Sequence, residues 1–460
     1  MGRAEQDVAL NAGVARAYAA HLLSSLGLQI TLRPFVEEHP AVSWSRSGMM
    51  ALTGAPDGAP QMCPVPLTAC ADGALAALAR LAPNGELDNL RGSNLLAERA
   101  AIAGFLRAGS VSPGGSCCLL EAADGWLAVN LTRDADWDLV PAWLEVGGEP
   151  DWNLVKRAVR EKSVRELVER ARMLGLAVAP EEPEDRSYEW FRTEKRPLPD
   201  PLPQAGEGPL QSRPLVVDLS SLWAGPLCSH LLHKLGADVV KVESAQRPDG
   251  ARRGPAPFFD LMNAGKRSVA LDLATTRGRE QLRALISKAD IVIEGSRPRA
   301  LRQLGVDADA LVAENPRLTW ISITGYGRGE RGNWIAFGDD AGVAAGLSRL
   351  MFQATGQRLI CGDAIADPLT GLHAALAAWT GYLGGGAGLI SLALRDVVRH
   401  CSQFDLPDSI EVLRERNGAW TAIARRMGPC MAPRARGATV AARPIGVDTA
   451  AVFDELNIVR

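Results

Sequence analysis

The stretch from residue 214 to 326 alternates short apolar runs with helical segments, and this alternation constrains the fold more than any other feature. Apolar runs predict buried strands at 215–219, 239–243, 267–273, 289–294 and 318–324. Helical segments are predicted between them at 227–235, 277–287 and 299–304. Strands and helices that alternate with short connections predict an α/β fold with a doubly wound, Rossmann-like parallel sheet. In such sheets ligands bind at the carboxyl ends of the strands.

Composition excludes several classes of protein. The net charge is −3 over 460 residues, so no nucleic-acid partner is expected. No run of about 18 apolar residues suits a membrane span, and the N-terminus lacks an apolar leader. A cytoplasmic protein without a membrane partner is therefore expected. The 8 cysteines form no Cys-x-x-Cys pair and the 6 histidines do not cluster, which predicts reduced thiols and no metal site.

Four motifs follow one another in and around the predicted strands. Residues 224–226 read Ala-Gly-Pro, and residues 235–243 read Leu-Gly-Ala-Asp-Val-Val-Lys-Val-Glu. Residues 263–273 begin Asn-Ala-Gly-Lys-Arg, and Asn-Pro-Arg at 315–317 precedes Ile-Thr-Gly-Tyr-Gly at 323–327. Over about 180 residues this series resembles the class III CoA-transferases, the carnitine dehydratase and racemase group. The resemblance implies that coenzyme A is bound as acyl-CoA, with a carboxylic acid as second substrate and without metal or NAD.

Asp367 is the strongest candidate for chemistry. It lies four residues before Gly371 in a segment that reads Asp-Pro-Leu-Thr-Gly. Asp367 followed by Pro368 predicts an N-cap with proline at the first helical position, and a helix N-terminus favours an ionised carboxylate. The family carries its nucleophile here, so the resemblance implies that Asp367 forms an acyl anhydride and then an aspartyl-CoA thioester. On the residues alone a plain helix cap is the alternative, and Asp363 is the next candidate.

The resemblance also implies a CoA pocket. The implied residues are Leu222, Trp223, Ala224, Gly225, Ser244, Lys266, Arg267, Gly295, Ser296, Arg297 and Thr324. Family members often have Asn-Phe where this chain has Gly295-Ser296, and a basic residue is common at the positions of Ser244 and Gln303. Because CoA carries phosphates, the remaining basic residues are expected to compensate. For each of them a solvated surface charge is the alternative.

Tyr326 is the second predicted catalytic residue. The resemblance places it near Asp367 and the turn at Ala224-Gly225, where its hydroxyl would orient the acyl carbonyl or donate to the developing oxyanion. The alternative is that its ring packs in the core. Gly114-Gly115 has two interpretations as well, as the family's glycine loop over the aspartate or as a plain turn.

Two short matches indicate a degenerate internal repeat. His21-Leu22-Leu23 matches His230-Leu231-Leu232 at an offset of 209, and Gly73 with its following alanines matches Gly371 at an offset of 298. The offsets differ by about the length of the strand–helix core, so the first copy has lost that core. The position that matches Asp367 is Ala69, which predicts one active site per chain. The chain is expected to be an intramolecular pseudo-dimer or a homodimer.

The repeat and the composition together predict five segments. They are a helical first-copy fragment at 1–108, a small α+β domain at 109–180, a linker rich in proline and charge at 181–213, the large domain at 214–400 and a C-terminal segment at 401–460. Within the large domain, helices are predicted at 368–383 and 389–400.

Other functions stay open at this stage. An acyl-CoA racemase or isomerase shares the fold, but its histidine would fall at Gly338-Asp339-Asp340, where none is present. A catalytically degenerate CoA-binding relative is a second alternative. A nicotinamide oxidoreductase is a third, since Gly327-x-Gly329-x-x-Gly332 matches a dinucleotide fingerprint, although no helix is predicted after it.

Overall fold

The computed structural model describes residues 13–82, 85–181, 189–193 and 213–459. The first described residues, up to Ala103, form helices without strands. These are α1 (Val14–Ser25), α2 (Pro40–Arg46), α3 (Leu67–Leu81), α4 (Gly92–Leu95) and α5 (Glu98–Ala103). Helix α1 agrees with the helical first-copy fragment that the sequence predicts. Gly27 ends α1 with φ 77°, a backbone angle that glycine adopts without strain.

A small α+β unit follows. Its elements are β1 (Cys117–Glu121), β2 (Trp126–Asn130), α6 (Asp134–Leu144), α7 (Trp152–Arg160), α8 (Val164–Leu174) and β3 (Ala177–Pro180). The strands form an antiparallel sheet in the order β1-β2-β3, and the helices cover it around the buried Trp143. These elements agree with the α+β character predicted for 109–180, and the Ala177–Pro180 run of β3 is too short to show alternation in the sequence.

The main sheet occupies the part of the chain where strand–helix alternation was predicted. Its elements are β4 (Arg192–Thr193), β5 (Leu215–Asp218), α9 (Ala224–Lys234), β6 (Asp238–Ser244), α10 (Ala256–Asn263), β7 (Arg267–Leu271), α11 (Thr276–Ile286), β8 (Ile291–Glu294), α12 (Pro298–Gln303), α13 (Ala308–Glu314) and β9 (Thr319–Thr324). The five predicted strands are all present. Helix α9 begins at Ala224 rather than 227, so Pro226 lies at the third helical position.

The last elements complete the sheet and cover it. They are α14 (Gly338–Ala344), α15 (Leu347–Thr355), α16 (Ala366–Leu383), β10 (Gly388–Ala393), α17 (Leu394–Gln403), α18 (Ile410–Arg426) and α19 (Thr449–Glu455). The helix predicted from 389 to 400 is wrong in its first half, which is β10. This strand pairs in parallel with β9 and is buried, and a short apolar run has no periodicity that separates a buried strand from a buried helix.

The strand order of the main sheet is β4-β10-β9-β8-β5-β6-β7, in which β5 to β10 are parallel and β4 is antiparallel. Numbered in chain order, the parallel strands run 3-2-1-4-5-6, an order common to nucleotide-binding α/β sheets. The order reverses between β5 and β8. A crevice forms at such a reversal because the connections leave the carboxyl ends of the two strands in opposite directions.

The N-terminal helices share one hydrophobic core with the main sheet, since Leu22, Leu78, Leu227 and Leu372 are buried in a single cluster. Two helix pairs within it pack alike. A Cβ at Gly73 of α3 would lie 2.5 Å from the carbonyl oxygen of Ala15 on α1. A Cβ at Gly371 of α16 would lie 2.7 Å from the carbonyl oxygen of Ala224 on α9. Both pairs therefore need glycine for close approach of two helices.

The offset of 298 continues beyond these glycines. Helices α2 and α14 have equal lengths and begin at Pro40 and Gly338. The glycines that follow them, Gly48 and Gly346, have φ values of 89° and 93°. At the interface between α3 and α16, Trp379 Nε1 donates to the carbonyl oxygen of Leu81, its own counterpart, at 3.2 Å. Two copies related by a twofold axis would meet at such a pair of residues.

Candidate active site

Asp367 lies in the first turn of α16, but it is not the N-cap. The N-cap is Ile365, and the Asp367 N–H donates to the Ala364 carbonyl oxygen at 2.9 Å. The Asp367 carboxylate instead accepts hydrogen bonds from the backbone N–H groups of Ala224 and Gly338. Ala224 opens α9 and Gly338 opens α14, so three helix N-termini meet at this side chain. Their dipoles and free N–H groups favour negative charge.

Glycine at 338 is required for this arrangement because a Cβ there would collide with Asp367 Oδ2. Burial raises the pKa of Asp367 to about 6, with Asp363 acting in the same direction. The Arg99 charge and the N–H groups of Ala224 and Gly338 limit that rise. The carboxyl group is therefore ionised at neutral pH, while its pKa remains close enough to 7 for its charge to respond to the surroundings.

Asp367 faces a cavity of about 360 Å³ at the carboxyl ends of β5, β8 and β9. Besides Asp367, the predicted residues that line it are Leu222, Ala224, Gly225, Gly295, Ser296, Arg297 and Thr324. Its remaining wall includes an apolar segment, 334–337, with Ile323 and Leu394. Leu222 has φ 69° and is 40% exposed, and such a conformation in a non-glycine residue is often found at binding sites.

Lys266 and Trp223, two other predicted pocket residues, do not line this cavity. Lys266 is buried behind α9, where its Nζ bonds Asp218 at 3.2 Å and Ser229 at 2.7 Å, and burial lowers its pKa to about 8. Its role there is to satisfy a buried carboxylate. Trp223 is buried at the N-cap of α9, and the guanidinium of Arg99 lies over its ring, 5.5 Å from the ring centre.

Arg267 and Ser244 lie away from the cavity as well. Arg267 forms ion pairs with Asp238 and Glu455 at the amino end of β7. Ser244 ends β6 and donates to Gln246 at 3.2 Å. Arg267 lies at the amino end of its strand, whereas the cavity lies at the carboxyl ends.

Tyr326 lines a second cavity, of about 530 Å³, instead of the one that contains Asp367. Its ring packs edge-on against Trp334, and the guanidinium of Arg395 lies 5.5 Å from its centre. Segment 189–193, which includes β4, forms the opposite side of this cavity. The structure therefore separates the two residues that were predicted to act together.

Three carboxyl groups, those of Asp363, Asp339 and Asp367, act on the charge of one arginine, Arg99, beside the cavity. Asp339 and Asp340 open α14, and burial is the main cause that raises the pKa of each to about 7. Asp363 is fully buried and binds Arg99 through both oxygens. Arg99 lies on α5, in the N-terminal part of the chain. Sequence reasoning missed it because a lone arginine on a short helix carries no motif.

Arg133 was missed for a similar reason. It follows β2 in the small α+β unit and lines the same cavity as Arg297. Desolvation lowers the pKa of Arg297, and the charges of Arg299, Arg133 and Arg247 add to that effect. The mouth of the cavity therefore carries two arginines, of which Arg133 is also ion-paired with Asp136. The proximity of Arg133 to Arg297 depends on how the α+β unit docks on the main sheet, which no local pattern reveals.

Other chemistries have less structural support. The glycines of the motif at 327–332 follow β9, but the next helix in the chain, α14, begins only at Gly338. Within the described ranges, no group of three or more His, Cys, Asp and Glu side chains has the arrangement of a metal site. None of the helices in those ranges combines the length and the apolar character that a membrane span requires.

Residues 214–418 match the protein family described as CoA-transferase family III. Succinate–glutarate CoA-transferase of Agrobacterium fabrum is 34% identical over 202 residues, which are 40% of this chain and 50% of that protein. Formyl-CoA:oxalate CoA-transferase of Rhodopseudomonas palustris (strain HaA2) is 31% identical over 204 residues, 42% of this chain and 48% of that protein. A solved CaiB/BaiF family protein from Brucella suis is 33% identical, with TM-score 0.37, over 40% of this chain and 53% of that one. The chain spans about half the length of the two curated relatives.

Proposed function

We propose that the chain, whose residues 214–418 match CoA-transferase family III, transfers CoA from an acyl-CoA to a carboxylic acid with Asp367 as nucleophile. The observation that carries this proposal is the setting of Asp367, whose carboxylate accepts two backbone N–H groups and faces the cavity at the strand ends. The strand order supports the doubly wound arrangement, in which ligands bind at this edge of the sheet.

The reaction proceeds by exchange at reactive acyl groups. Asp367 attacks the thioester carbonyl, an acyl-aspartyl anhydride forms, and CoA leaves as the thiolate. The thiolate attacks the aspartyl carbonyl, which releases the first acid and forms an aspartyl-CoA thioester. The incoming carboxylate attacks this thioester and expels CoA again, and the thiolate then attacks the new acyl carbonyl to give the product acyl-CoA and free Asp367. Each exchange is easy because anhydrides and thioesters are both activated.

The surroundings of Asp367 suit each stage. A pKa of about 6 leaves the attacking carboxylate ionised at pH 7.5 or so. The N–H groups of Ala224 and Gly338 remain in place to stabilise negative charge on the aspartyl oxygen when its carbonyl is attacked. Arg297 and Arg133 at the mouth suit the phosphates of CoA, and the apolar wall at 334–337 suits the acyl chain.

We further propose that each chain contains a fused pair of copies with one active site. Segment 1–108 is then the first copy without its sheet, and 109–180 is the small domain that serves the second copy's site. The equivalent packing of Gly73 and Gly371 supports the duplication. Arg99 and Arg133 support the shared site, because each reaches the surroundings of Asp367 from outside the family-matched segment.

The test is a transfer assay with paired donors and acids, followed by chromatography of the CoA esters. The panel starts with succinyl-CoA with glutarate and formyl-CoA with oxalate, because the two relatives are named for these compounds. Hydroxylamine, which cleaves anhydrides and thioesters, should inactivate the enzyme only after an acyl-CoA has been added. Isomerisation of the donor without CoA transfer would support a racemase instead, and binding of CoA without either reaction would support a non-catalytic relative.

A further inference from the structure

The turn before Asp367 is bound by a residue of the N-terminal helices, Arg99. Arg99 on α5 donates from Nε and Nη2 to the two oxygens of Asp363, at 2.8 and 2.5 Å. Asp363 is 0% exposed. A guanidinium that binds a carboxylate through two parallel hydrogen bonds fixes its orientation as well as its position.

Two aromatic rings lie near the guanidinium. The rings of Trp223 and Phe105 lie 5.5 and 5.9 Å from its central carbon. Trp223 is the residue before Ala224, whose N–H binds Asp367. Arg99 is thus connected to the nucleophile from two sides, through the start of α9 and through Asp363.

Between Asp363 and Asp367 the backbone is strained. Ala364 has φ 44°, a left-handed conformation that a residue with a side chain adopts only where its neighbours enforce it. Its N–H donates to Asp339 Oδ1 at 2.7 Å, and its carbonyl oxygen accepts the Asp367 N–H at 2.9 Å. The strained residue is therefore the direct support of the nucleophile's backbone.

The charges around Asp367 come from several elements. They are Arg99 on α5, Asp363 in the turn, Asp339 and Asp340 on α14, Arg133 after β2 and Arg297 after β8. Burial lowers the pKa of Arg99, but Asp363, Asp339 and Asp367 outweigh burial and raise it, which keeps Arg99 cationic. Arg99 is the largest charge effect on the pKa of Asp367, and it lowers that pKa.

We propose that Arg99 is a positioning residue for Asp367, which orients the nucleophile through Asp363 and the left-handed Ala364. The effect of Arg99 on turnover rests on the proposed transferase function. Its hydrogen bonds to Asp363 and its effect on the pKa of Asp367 do not. A segment outside the family-matched residues then completes the catalytic machinery.

The test compares Arg99→Gln with Arg436→Gln. Arg436 is the matched control because it binds Glu98, the neighbour of Arg99 on α5, through both carboxylate oxygens at 2.6 and 2.9 Å. Each change leaves one buried carboxylate without its guanidinium, so the two variants should lose similar stability. Only Arg99→Gln should raise the pKa of Asp367, by about one unit, since an opposite charge at close range lowers a carboxyl pKa by that amount or more.

The titration is followed by the carboxyl NMR signals of protein labelled with ¹³C-aspartate, and Asp367→Asn assigns the signal. In turnover assays Arg99→Gln should lower kcat about 10²-fold with little change in KM, the expected cost of a misplaced reacting group. Arg99→Lys should restore the pKa but only part of kcat, because it supplies charge without the two parallel hydrogen bonds.

Asp363→Asn separates orientation from charge and serves also if Arg99→Gln fails to fold. Removal of the Asp363 charge should lower the pKa of Asp367, yet kcat should still fall because the turn is no longer held. An unchanged Asp367 titration in Arg99→Gln, or full activity in Asp363→Asn, overturns the proposal. A shifted titration in a protein that transfers no CoA refutes the proposed function and leaves the positioning role supported.

Discussion

The segment from α2 to α3 and the segment from α14 to α16 begin and end with helices at matching positions but have opposite chemistry, and α15 of the second segment has no helical counterpart in the first. At the offset of 298, apolar residues of the first segment occupy the positions that correspond to acidic residues of the second. Asp339, Asp340, Asp363 and Asp367 correspond to Ala41, Val42, Val65 and Ala69. All four counterparts are buried, and Ala69 is 1% exposed.

The carboxyl groups of the second segment carry an energetic cost of burial that the first segment does not have. Burial of a carboxylate is unfavourable, and in the second segment it raises the pKa of Asp339, Asp340 and Asp367. The first segment replaces them with apolar side chains that pack without this penalty. A set of groups that destabilises the fold is expected where it performs chemistry. We therefore expect the first segment to support the second and to supply no site of its own.

The largest expected effect is that of Asp367→Ala, which gives the second segment the residue that the first already has. Turnover should fall by about 10⁴-fold or more, as when an enzyme loses its nucleophile. The melting temperature at pH 8 should stay the same or rise, because a buried carboxylate is removed and no N-cap is lost. Steady-state assays and calorimetry check both, and an active Asp367→Ala enzyme would exclude the proposed mechanism.

The reverse exchange, Ala69→Asp, should not create a second site. It places a carboxylate in a buried position, which should lower the free energy of unfolding by roughly 3 kcal/mol at pH 8. The loss should be smaller at pH 5, where the new group binds a proton. Denaturant unfolding measures the loss, and Ala69→Asn is the neutral control. A gain in the number of acylated sites per chain would contradict the proposed inactivity of the first copy.

Gly73→Ala and Gly371→Ala test whether the two close helix contacts, α1 with α3 and α9 with α16, differ in their effect on activity. Each added methyl group meets a backbone carbonyl oxygen, so both variants should lose about 1–3 kcal/mol of stability. Only Gly371→Ala displaces Ala224, whose N–H holds Asp367, so only this variant should lose activity beyond its loss of stability, about tenfold or more. Equal activity in the two variants, at equal folded fraction, would show that the contacts are not functionally different.

The buried acid at Asp340 gives a pH-dependent prediction. Its pKa in the folded protein, about 7, is above its unfolded value, so the folded state binds an extra proton and stability falls as pH rises from about 4 to about 7. Asp340→Asn keeps an oxygen for the Asn130 side chain, which donates at 2.8 Å. The variant should be more stable than the parent by about 1–3 kcal/mol at pH 8 and no more stable at pH 4. If the stability–pH curves of the parent and Asp340→Asn run parallel, the pKa of Asp340 is not raised.

The smallest effect is expected for Tyr326→Phe. The sequence-based hypothesis gave its hydroxyl a catalytic role, which predicts a 10²–10³-fold loss of rate. Its location in the second cavity predicts instead that turnover stays within about threefold of the parent. Turnover and melting temperature measured together decide between the two, since a structural role affects only the latter.

The sequence predicted the parts of the molecule that depend on local patterns. Strands β5 to β9 follow from short apolar runs, and Asp367 with Gly371 follows from a motif whose spacing is set by one helix. The residues it missed act through contacts distant in sequence. Arg99 binds Asp363 across 264 positions, and Arg133 reaches the cavity only because the α+β unit docks there.

The errors have equally physical causes. Lys266 was assigned to CoA because it lies in a family-like motif, yet the folded chain uses it to neutralise the buried Asp218. A sequence does not reveal whether a charge faces solvent, a ligand or the core. The N-cap assignment of Asp367 placed the helix start two residues too late, an uncertainty inherent in reading helix ends from sequence.

The central claim is that one carboxyl group, in one of two similar segments, carries the acyl group. Its most direct test is peptide mapping by mass spectrometry after acid quench of the protein with a donor acyl-CoA in ¹⁸O-water. We expect one covalent acyl or CoA adduct per chain, on the peptide that contains Asp367. The adduct should be absent from Asp367→Asn. An adduct on any other residue, a second adduct on the peptide around Ala69, or turnover without any adduct at Asp367 would contradict it.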